Sequence, residues 1–394
     1  MKRIRLILGS ALTLLAATLS AQEVQNFRPS SVVSPEITAE TVTFRLYAPY
    51  ATVVTVNPSW LNTLPASAPE KAMSKDMNGV WSVSYPLPAS ELYYYTYTVD
   101  GVRTLDPANN FVIRDVGNFM NALIVPGGRG DLYSEANHHG NLEEVWYYSA
   151  TNDMNRRMTV YTPYGYDRYN RGKKYPVLYL LHGGGGDETA WATLGRTAQI
   201  LDNLIEQGKA VPMLVVMPNG NPNQYAAPTL HIPVNPNTKQ YRSGFDNYES
   251  LTADIIPFIE KNYNVIRDRR GRAIGGLSMG GGQSFYEGFR HVDIFSAVGI
   301  FSSGLIGGTA AGQQAFDAER EMPGIYTSPG KYNRFNVIYL SCGEQDPRLS
   351  GTENFVSRLE GLGYKNVSYE SFPGAHEWHV WRESLTSYVQ KLFK

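Results

Sequence analysis

Arg272-Ala273-Ile274-Gly275-Gly276-Leu277-Ser278-Met279-Gly280-Gly281-Gly282 is the stretch that decides how the rest of the chain is read. It has the pattern of a short buried strand, a sharp turn and the start of a helix. A serine held at such a turn needs small residues on both sides, because larger side chains would strike the strand or the helix. A bare Gly-x-Ser-x-Gly match arises by chance in many chains, and a glycine-rich turn with an idle serine is the bland alternative. The strand before it and the helix after it make Ser278 a candidate nucleophile.

Outward from this turn, apolar runs alternate with amphipathic ones. Strands are expected at 177–181, 213–217, 273–275, 297–301, 337–341 and 367–371. Helices are expected at 197–207, closed by Gly208, and at 249–263, 283–289, 353–362 and 381–392. Continuous apolar strands suit a sheet covered on both faces. Their alternation with helices over 142–394 predicts an α/β domain with a doubly wound, mostly parallel sheet.

Residues 27–126 carry a different pattern. Thr41-Val42-Thr43-Phe44-Arg45-Leu46-Tyr47, Val80-Trp81-Ser82-Val83-Ser84-Tyr85 and Tyr93-Tyr94-Tyr95-Thr96-Tyr97-Thr98-Val99 alternate with period two. Ala48-Pro49, Asn78-Gly79 and Asp100-Gly101 supply turns. A small all-β, immunoglobulin-like sandwich is expected here. The Gly-, Asn- and His-rich segment 127–141 is expected to be a linker. His138 and His139 within it lack a third ligand at useful spacing, so no metal is expected.

At the N-terminus, Met1-Lys2-Arg3-Ile4-Arg5, an apolar run over 6–19 and Ser20-Ala21-Gln22 have the layout of a cleavable secretory signal, residues 1–21. The run is short for a membrane anchor. Removing Lys2, Arg3 and Arg5 from the 35 basic residues leaves 32 against 36 acidic ones, a formal charge of −4. Such a protein has no electrostatic reason to seek nucleic acid or anionic lipid. Cys342 is the single cysteine, which excludes an intramolecular disulfide, a cysteine-based zinc site and a lipid-anchoring N-terminal cysteine. The expected location is therefore secreted or periplasmic, without a membrane anchor. Twenty-seven tyrosines suit either half-buried strand positions or surfaces that stack on sugar and phenolic rings.

A serine hydroxyl needs a base, and the base an orienting carboxylate, in the chain order Ser, Asp or Glu, His for this fold. His291, His376 and His379 follow Ser278. His291 has the setting of a helix cap. His376 lies in the Pro/Gly loop after the last expected strand and is the chosen base, with His379 its rival. For the acid, Ser341-Cys342-Gly343-Glu344-Gln345-Asp346-Pro347 offers two residues. Asp346 is preferred because Pro347 keeps it extended, and Glu344 stays open as the second option. Asp317 and Glu377 are less well placed. The oxyanion is expected on the backbone N–H groups of Met279 and of Gly184, the latter in Leu181-His182-Gly183-Gly184-Gly185-Gly186-Asp187. Trp191 and Tyr248 are candidates for an acyl slot. Two irregular stretches, 219–244 and 302–332, are expected to shape the cleft.

These residues also carry resemblances. Tyr175-Pro176-Val177-Leu178-Tyr179-Leu180-Leu181-His182-Gly183, the 276–284 turn and Gly374-Ala375-His376-Glu377-Trp378 resemble carbohydrate esterase family 1, esterase D-like α/β-hydrolases, and within it the feruloyl esterases of xylan-degrading systems. The resemblance implies a Ser278, Asp346 and His376 triad, with no cofactor, acting on feruloylated or acetylated plant polysaccharide. Phe44-Arg45-Leu46-Tyr47-Ala48-Pro49, Gly79-Val80-Trp81 and Asp106-Pro107-Ala108-Asn109 resemble the early-set sandwich related to family 48 carbohydrate-binding modules, which implies glycan contact through Trp60 or Trp81. The alternatives are an acetyl-xylan esterase, a siderophore (enterochelin-type) esterase, and a glycan-binding protein with a relict hydrolase fold.

Overall fold

The structure is a computed structural model and describes residues 32–65, 67–170, 172–227, 250–306 and 316–394. The signal segment 1–21, Tyr248 and parts of both irregular stretches lie outside the described residues.

Among the described residues, period-two alternation becomes nine strands before residue 127: β1 (Glu36–Ile37), β2 (Thr41–Tyr47), β3 (Val54–Pro58), β4 (Ser74–Lys75), β5 (Val80–Pro86), β6 (Leu92–Val99), β7 (Val102–Thr104), β8 (Val112–Asp115) and β9 (Asn118–Ile124). They form two sheets, β1-β2-β5-β4 and β3-β6-β9-β8, with β7 beside β6. In β2 the buried side is Val42, Phe44 and Leu46, which meets Val54, Val56, Tyr95 and Tyr97 of the other sheet. Trp81 belongs to this core, its indole N–H donated to Ala48 O at 2.9 Å. Trp60 packs at the margin, edge-on to Tyr85 and Tyr93.

The rest of the chain alternates strands and helices: β10 (Asn141–Ser149), β11 (Met154–Thr162), β12 (Val177–Leu181), α1 (Ala190–Thr193), α2 (Thr197–Glu206), β13 (Leu214–Pro218), α3 (Ile256–Asn262), β14 (Arg272–Leu277), α4 (Met279–Arg290), β15 (Ala297–Phe301), α5 (Ala318–Glu321), α6 (Pro329–Tyr332), β16 (Val337–Gly343), α7 (Leu349–Gly361), β17 (Val367–Phe372) and α8 (Trp378–Val389). The sheet order is β10-β11-β13-β12-β14-β15-β16-β17. From β13 to β17 neighbours are parallel, while β10, β11 and β13 pair antiparallel. Every residue of β12, β13 and β15 is buried. This is the doubly wound α/β-hydrolase sheet, preceded by an all-β sandwich.

Several elements differ from the sequence reading. β10 and β11 were not among the expected strands, because Arg156 and Arg157 interrupt the apolar pattern of β11. Both are buried. Arg156 donates to the carbonyls of Asn219, Asn221 and Gln224, and Arg157 pairs with Glu144 and Glu188. The helix expected over 249–263 is divided, a π-type turn at Leu251–Ile255 leading into α3. Helix α4 starts at Met279, four residues before the expected 283, directly behind Ser278.

The sandwich and the α/β region share a core. Leu92, Ile113, Met120 and Ala122 pack with Trp191, Leu194, Trp378 and Trp381, so the sheet β3-β6-β9-β8 is covered on both faces. Segment 127–141 is packed rather than free: Tyr133 is buried, and Arg129 pairs with Glu91 and Glu383. At the centre lies Arg382, fully buried, donating to Glu91 Oε1 (2.8 Å), Leu92 O (3.1 Å) and Leu194 O (3.0 Å). Arg382→Met would leave Glu91 buried without its main partner. A loss of about 3–5 kcal/mol is expected, read as a lower denaturation midpoint, and Glu91→Gln in the same chain should restore part of it.

Candidate active site

Ser278 joins β14 to α4 with φ +52° and ψ −110°. Non-glycine residues rarely enter this region, at a cost on the order of 1–3 kcal/mol. The surroundings hold it there. Its N–H donates to Phe301 O (2.8 Å), and its carbonyl accepts from Gly282 (3.0 Å) and Gly304 (2.9 Å). The small flanking residues are a steric requirement: a Cβ on Gly276 would lie 2.6 Å from Gly280 O, and one on Gly280 would lie 2.4 Å from Leu181 O.

His376 occupies the loop between β17 and α8. Its Nε2 lies 2.9 Å from Ser278 Oγ and its Nδ1 lies 2.6 Å from Asp346 Oδ2. An ionised carboxylate can only accept, so the pairing assigns the proton to Nδ1 and leaves Nε2 free to receive the serine proton. Asp346 follows β16 and is buried, and its Oδ1 accepts from Arg348 N (3.0 Å) and Nη1 (3.2 Å). Burial alone would raise this carboxyl. The hydrogen bonds from His376 and the Arg348 N–H, with the nearby positive charges, outweigh it and hold the group at about 2. The two loops are stitched together by Gln345, whose N–H donates to Gly374 O (2.9 Å) and whose Oε1 accepts from Gly374 N–H (2.6 Å).

Glu344 is exposed, with its backbone N–H on Phe372 O; Asp346 is the acid brought to the imidazole. His379 donates from Nε2 to Pro373 O (2.8 Å), and Glu377 accepts from Ala375 N–H (2.9 Å). Both brace the loop that carries His376. His291 sits at the C-terminal end of α4, and Asp317 caps α5.

Trp191 requires correction. It is 1% exposed, donates its indole N–H to Leu181 O at 2.9 Å and packs edge-on to Trp378. It is a core residue, with no surface to offer an acyl group. Trp378 in turn meets Trp381, whose ring stands edge-on to His376 at 4.9 Å. Tyr248 lies outside the described residues.

On the other side of Ser278 runs the loop from Gly183 to Gly186. A Cβ on Gly183 would lie 3.4 Å from Ser278 Cβ, so this backbone borders the hydroxyl. The N–H of Gly184 meets no acceptor among the described residues, and that of Met279, first in α4, has no intrahelical one. Both are available for an anion. The sequence reading missed His182. Burial pushes its pKa down, and the neutral ring donates from Nδ1 to Gly183 O (2.8 Å) while Nε2 accepts from Gly220 N–H (2.7 Å). It fastens the glycine loop to the segment after β13, and its place directly before four glycines was the signal available.

Among the described residues no group of three or more His, Cys, Asp or Glu side chains could hold a metal ion, and no helix is long and apolar enough to cross a membrane. His138 meets Glu206 and His139 meets Glu135. Cys342 is buried, and burial pushes its thiol up to about 11.

The Esterase family model matches residues 149–392. The chain belongs to this family. The esterase is 31% identical over 328 residues to the endo-1,4-beta-xylanase/feruloyl esterase of Xylanibacter ruminicola, an alignment covering 82% of this chain and 41% of that one. The esterase thus spans well under half of that relative. It is similar at 25% identity to the ferulic acid esterase from Anaeromyces mucronatus solved with ferulic acid, with a TM-score of 0.54 over 66% of this chain and 93% of that one. The enterobactin esterase from Shigella flexneri shares the fold at 15% identity, with a TM-score of 0.62 over 90% of this chain and 94% of its own. The chain is accordingly a member of the Esterase family with the α/β-hydrolase fold.

Proposed function

We propose that the esterase releases feruloyl and related hydroxycinnamoyl groups from plant cell-wall arabinoxylan, using Ser278, His376 and Asp346 as its triad. The observation that carries the mechanism is the unbroken hydroxyl–imidazole–carboxylate path at 2.9 and 2.6 Å. Ser278 Oγ attacks the ester carbonyl as His376 Nε2 takes its proton. The resulting oxyanion lies against the N–H groups of Gly184 and Met279, where the N-terminal end of α4 adds positive potential. His376 returns the proton to the departing sugar oxygen, leaving an acyl-serine. Water, deprotonated by the same imidazole, then releases the acid and restores Ser278. Asp346 keeps the Nδ1–H tautomer in place throughout.

The acyl group rests on the relatives named for xylanase and ferulic acid esterase activity. A polymeric substrate also fits export directed by residues 1–21, to the periplasm or beyond the cell. In this reading 142–394 is the catalytic domain, 127–141 the connection and 27–126 a sandwich that contacts glycan. Trp60 is then the contact residue, since Trp81 is committed to the core. Initial rates on methyl ferulate, acetylated xylan and a catechol-type trilactone test the acyl assignment. Methyl ferulate is expected to turn over fastest, and faster turnover of either other ester would overturn it. Full-length Ser278→Ala should be retained on insoluble arabinoxylan and lose retention with Trp60→Ala; equal retention would remove the glycan role of Trp60.

A further inference from the structure

The loop that carries Gly184 is not held by the α/β region alone. Asp187, at its end, has a side chain wholly covered from solvent. Its Oδ1 accepts from the Thr189 N–H (3.0 Å) and hydroxyl (2.7 Å). Its Oδ2 is bonded by Arg114, a residue of the sandwich strand β8, which also donates to Thr189 Oγ1 at 3.1 Å. From Nη1 the same guanidinium donates to Val116 O at 2.6 Å. One planar group thus ties the turn between β8 and β9 to the base of the glycine loop.

Val116 shows what that tie achieves. Its φ is +54°, an unfavourable conformation for a β-branched residue. Half of its surface is exposed, so burial does little to offset the strain. Its two methyl carbons lie 3.0 and 3.2 Å from where a Cβ on Gly185 would stand. The turn is pressed against Gly185, the residue that follows Gly184. Displacing a catalytic group by about an ångström can lower turnover by roughly 100-fold, so backing of this kind bears directly on where the Gly184 N–H points.

We propose that Arg114 and Val116, from the β-sandwich, are positioning residues for ester hydrolysis: they hold the oxyanion loop so that the Gly184 N–H faces the site where the oxyanion forms. The inference rests on the reading of Ser278 and Gly184 given above. It assigns the sandwich a part in the chemical step, separate from any contact with glycan. The effect therefore falls on kcat, with KM little changed, and it holds for small esters as it does for polysaccharide.

Full-length Val116→Gly and Arg114→Met, with Arg114→Lys as the conservative variant, test this on methyl ferulate. Val116→Gly removes the contact while relieving the positive φ, so it should melt within a few degrees of wild type and yet lose about 10-fold in kcat. Arg114→Met should lose about 100-fold, and Arg114→Lys should recover part of it. Affinity for a boronic acid that forms a tetrahedral adduct on Ser278 should fall in parallel. Folded Val116→Gly with kcat within twofold of wild type, or a loss confined to KM, would overturn the proposal, even where Arg114→Met fails to fold. Wild-type turnover by Ser278→Ala would instead overturn the serine-esterase reading beneath it.

Discussion

Ser278→Ala is expected to lower kcat on methyl ferulate by about 10⁶-fold with little change in KM. In the proposed mechanism the hydroxyl is the atom that forms the acyl bond, and the variant has nothing to replace it. The N–H groups of Gly184 and Met279 remain, so a residual rate about 10³–10⁴ above water should persist from charge stabilisation and binding. Stability should hardly move, because among the described residues Ser278 Oγ bonds to His376 alone and the strained turn is set by backbone contacts to Phe301, Gly282 and Gly304. Steady-state kinetics and thermal melts on the same preparation check both halves. Intact-protein mass after a fluorophosphonate should show one adduct on wild type and none on the variant. A variant that still turned over at the wild-type rate would end the nucleophile assignment.

Asp346→Asn is the second large effect, a fall of about 10⁴-fold in kcat. An amide in place of the carboxylate can donate to His376 Nδ1, which moves the ring proton to Nε2 and leaves no lone pair to receive the serine proton. Glu344→Gln, changing an exposed side chain, should stay within about twofold, the ordinary outcome for a surface change remote from the chemistry. The reverse pattern would shift the acid to Glu344. The same carboxylate links stability to pH. It titrates at about 2 in the folded protein, below the usual 3.8, so folding favours its ionised form. Its stabilising contribution is complete above about pH 4 and disappears as pH falls towards 2. The difference in melting temperature between wild type and Asp346→Asn should therefore shrink across that window.

What the sequence disclosed about the site follows from how local each signal was. Ser278 was legible because a strand, a steric bottleneck and a helix are all written within eleven residues. Pro347 favoured Asp346 through backbone preference alone, and the geometry places that residue on the imidazole. His376 was separable from His379 by its nearness to the end of the last strand. Trp191 misled because an aromatic residue shortly after a glycine loop has the same pattern whether it turns into the cleft or into the core. Arg114 left no local mark: its partner Asp187 is 73 residues away, and an arginine on an edge strand ordinarily faces water. The hairpin of β10 and β11 was hidden for a related reason. Arg156 and Arg157 are interior residues that meet Glu144 on the adjoining strand and, farther along the chain, Glu188 and the carbonyls after β13.

The sheet covered on both faces has a consequence for how such a protein can be inherited. A genetic crossover within codons 127–141 would part Leu92, Ile113, Met120 and Ala122 from the three tryptophans and the leucine they lie against. Each product would bare a contiguous apolar surface to water, at roughly 25 cal/mol for every Å² uncovered, and a surface of that kind invites aggregation. Arg382 and Glu91 would also separate, each an interior charge without its counterpart. In this chain the sandwich is therefore not an interchangeable bead: its removal would expose the seam on both sides. A substitution on one side of the buried seam should therefore call for a matching change on the other.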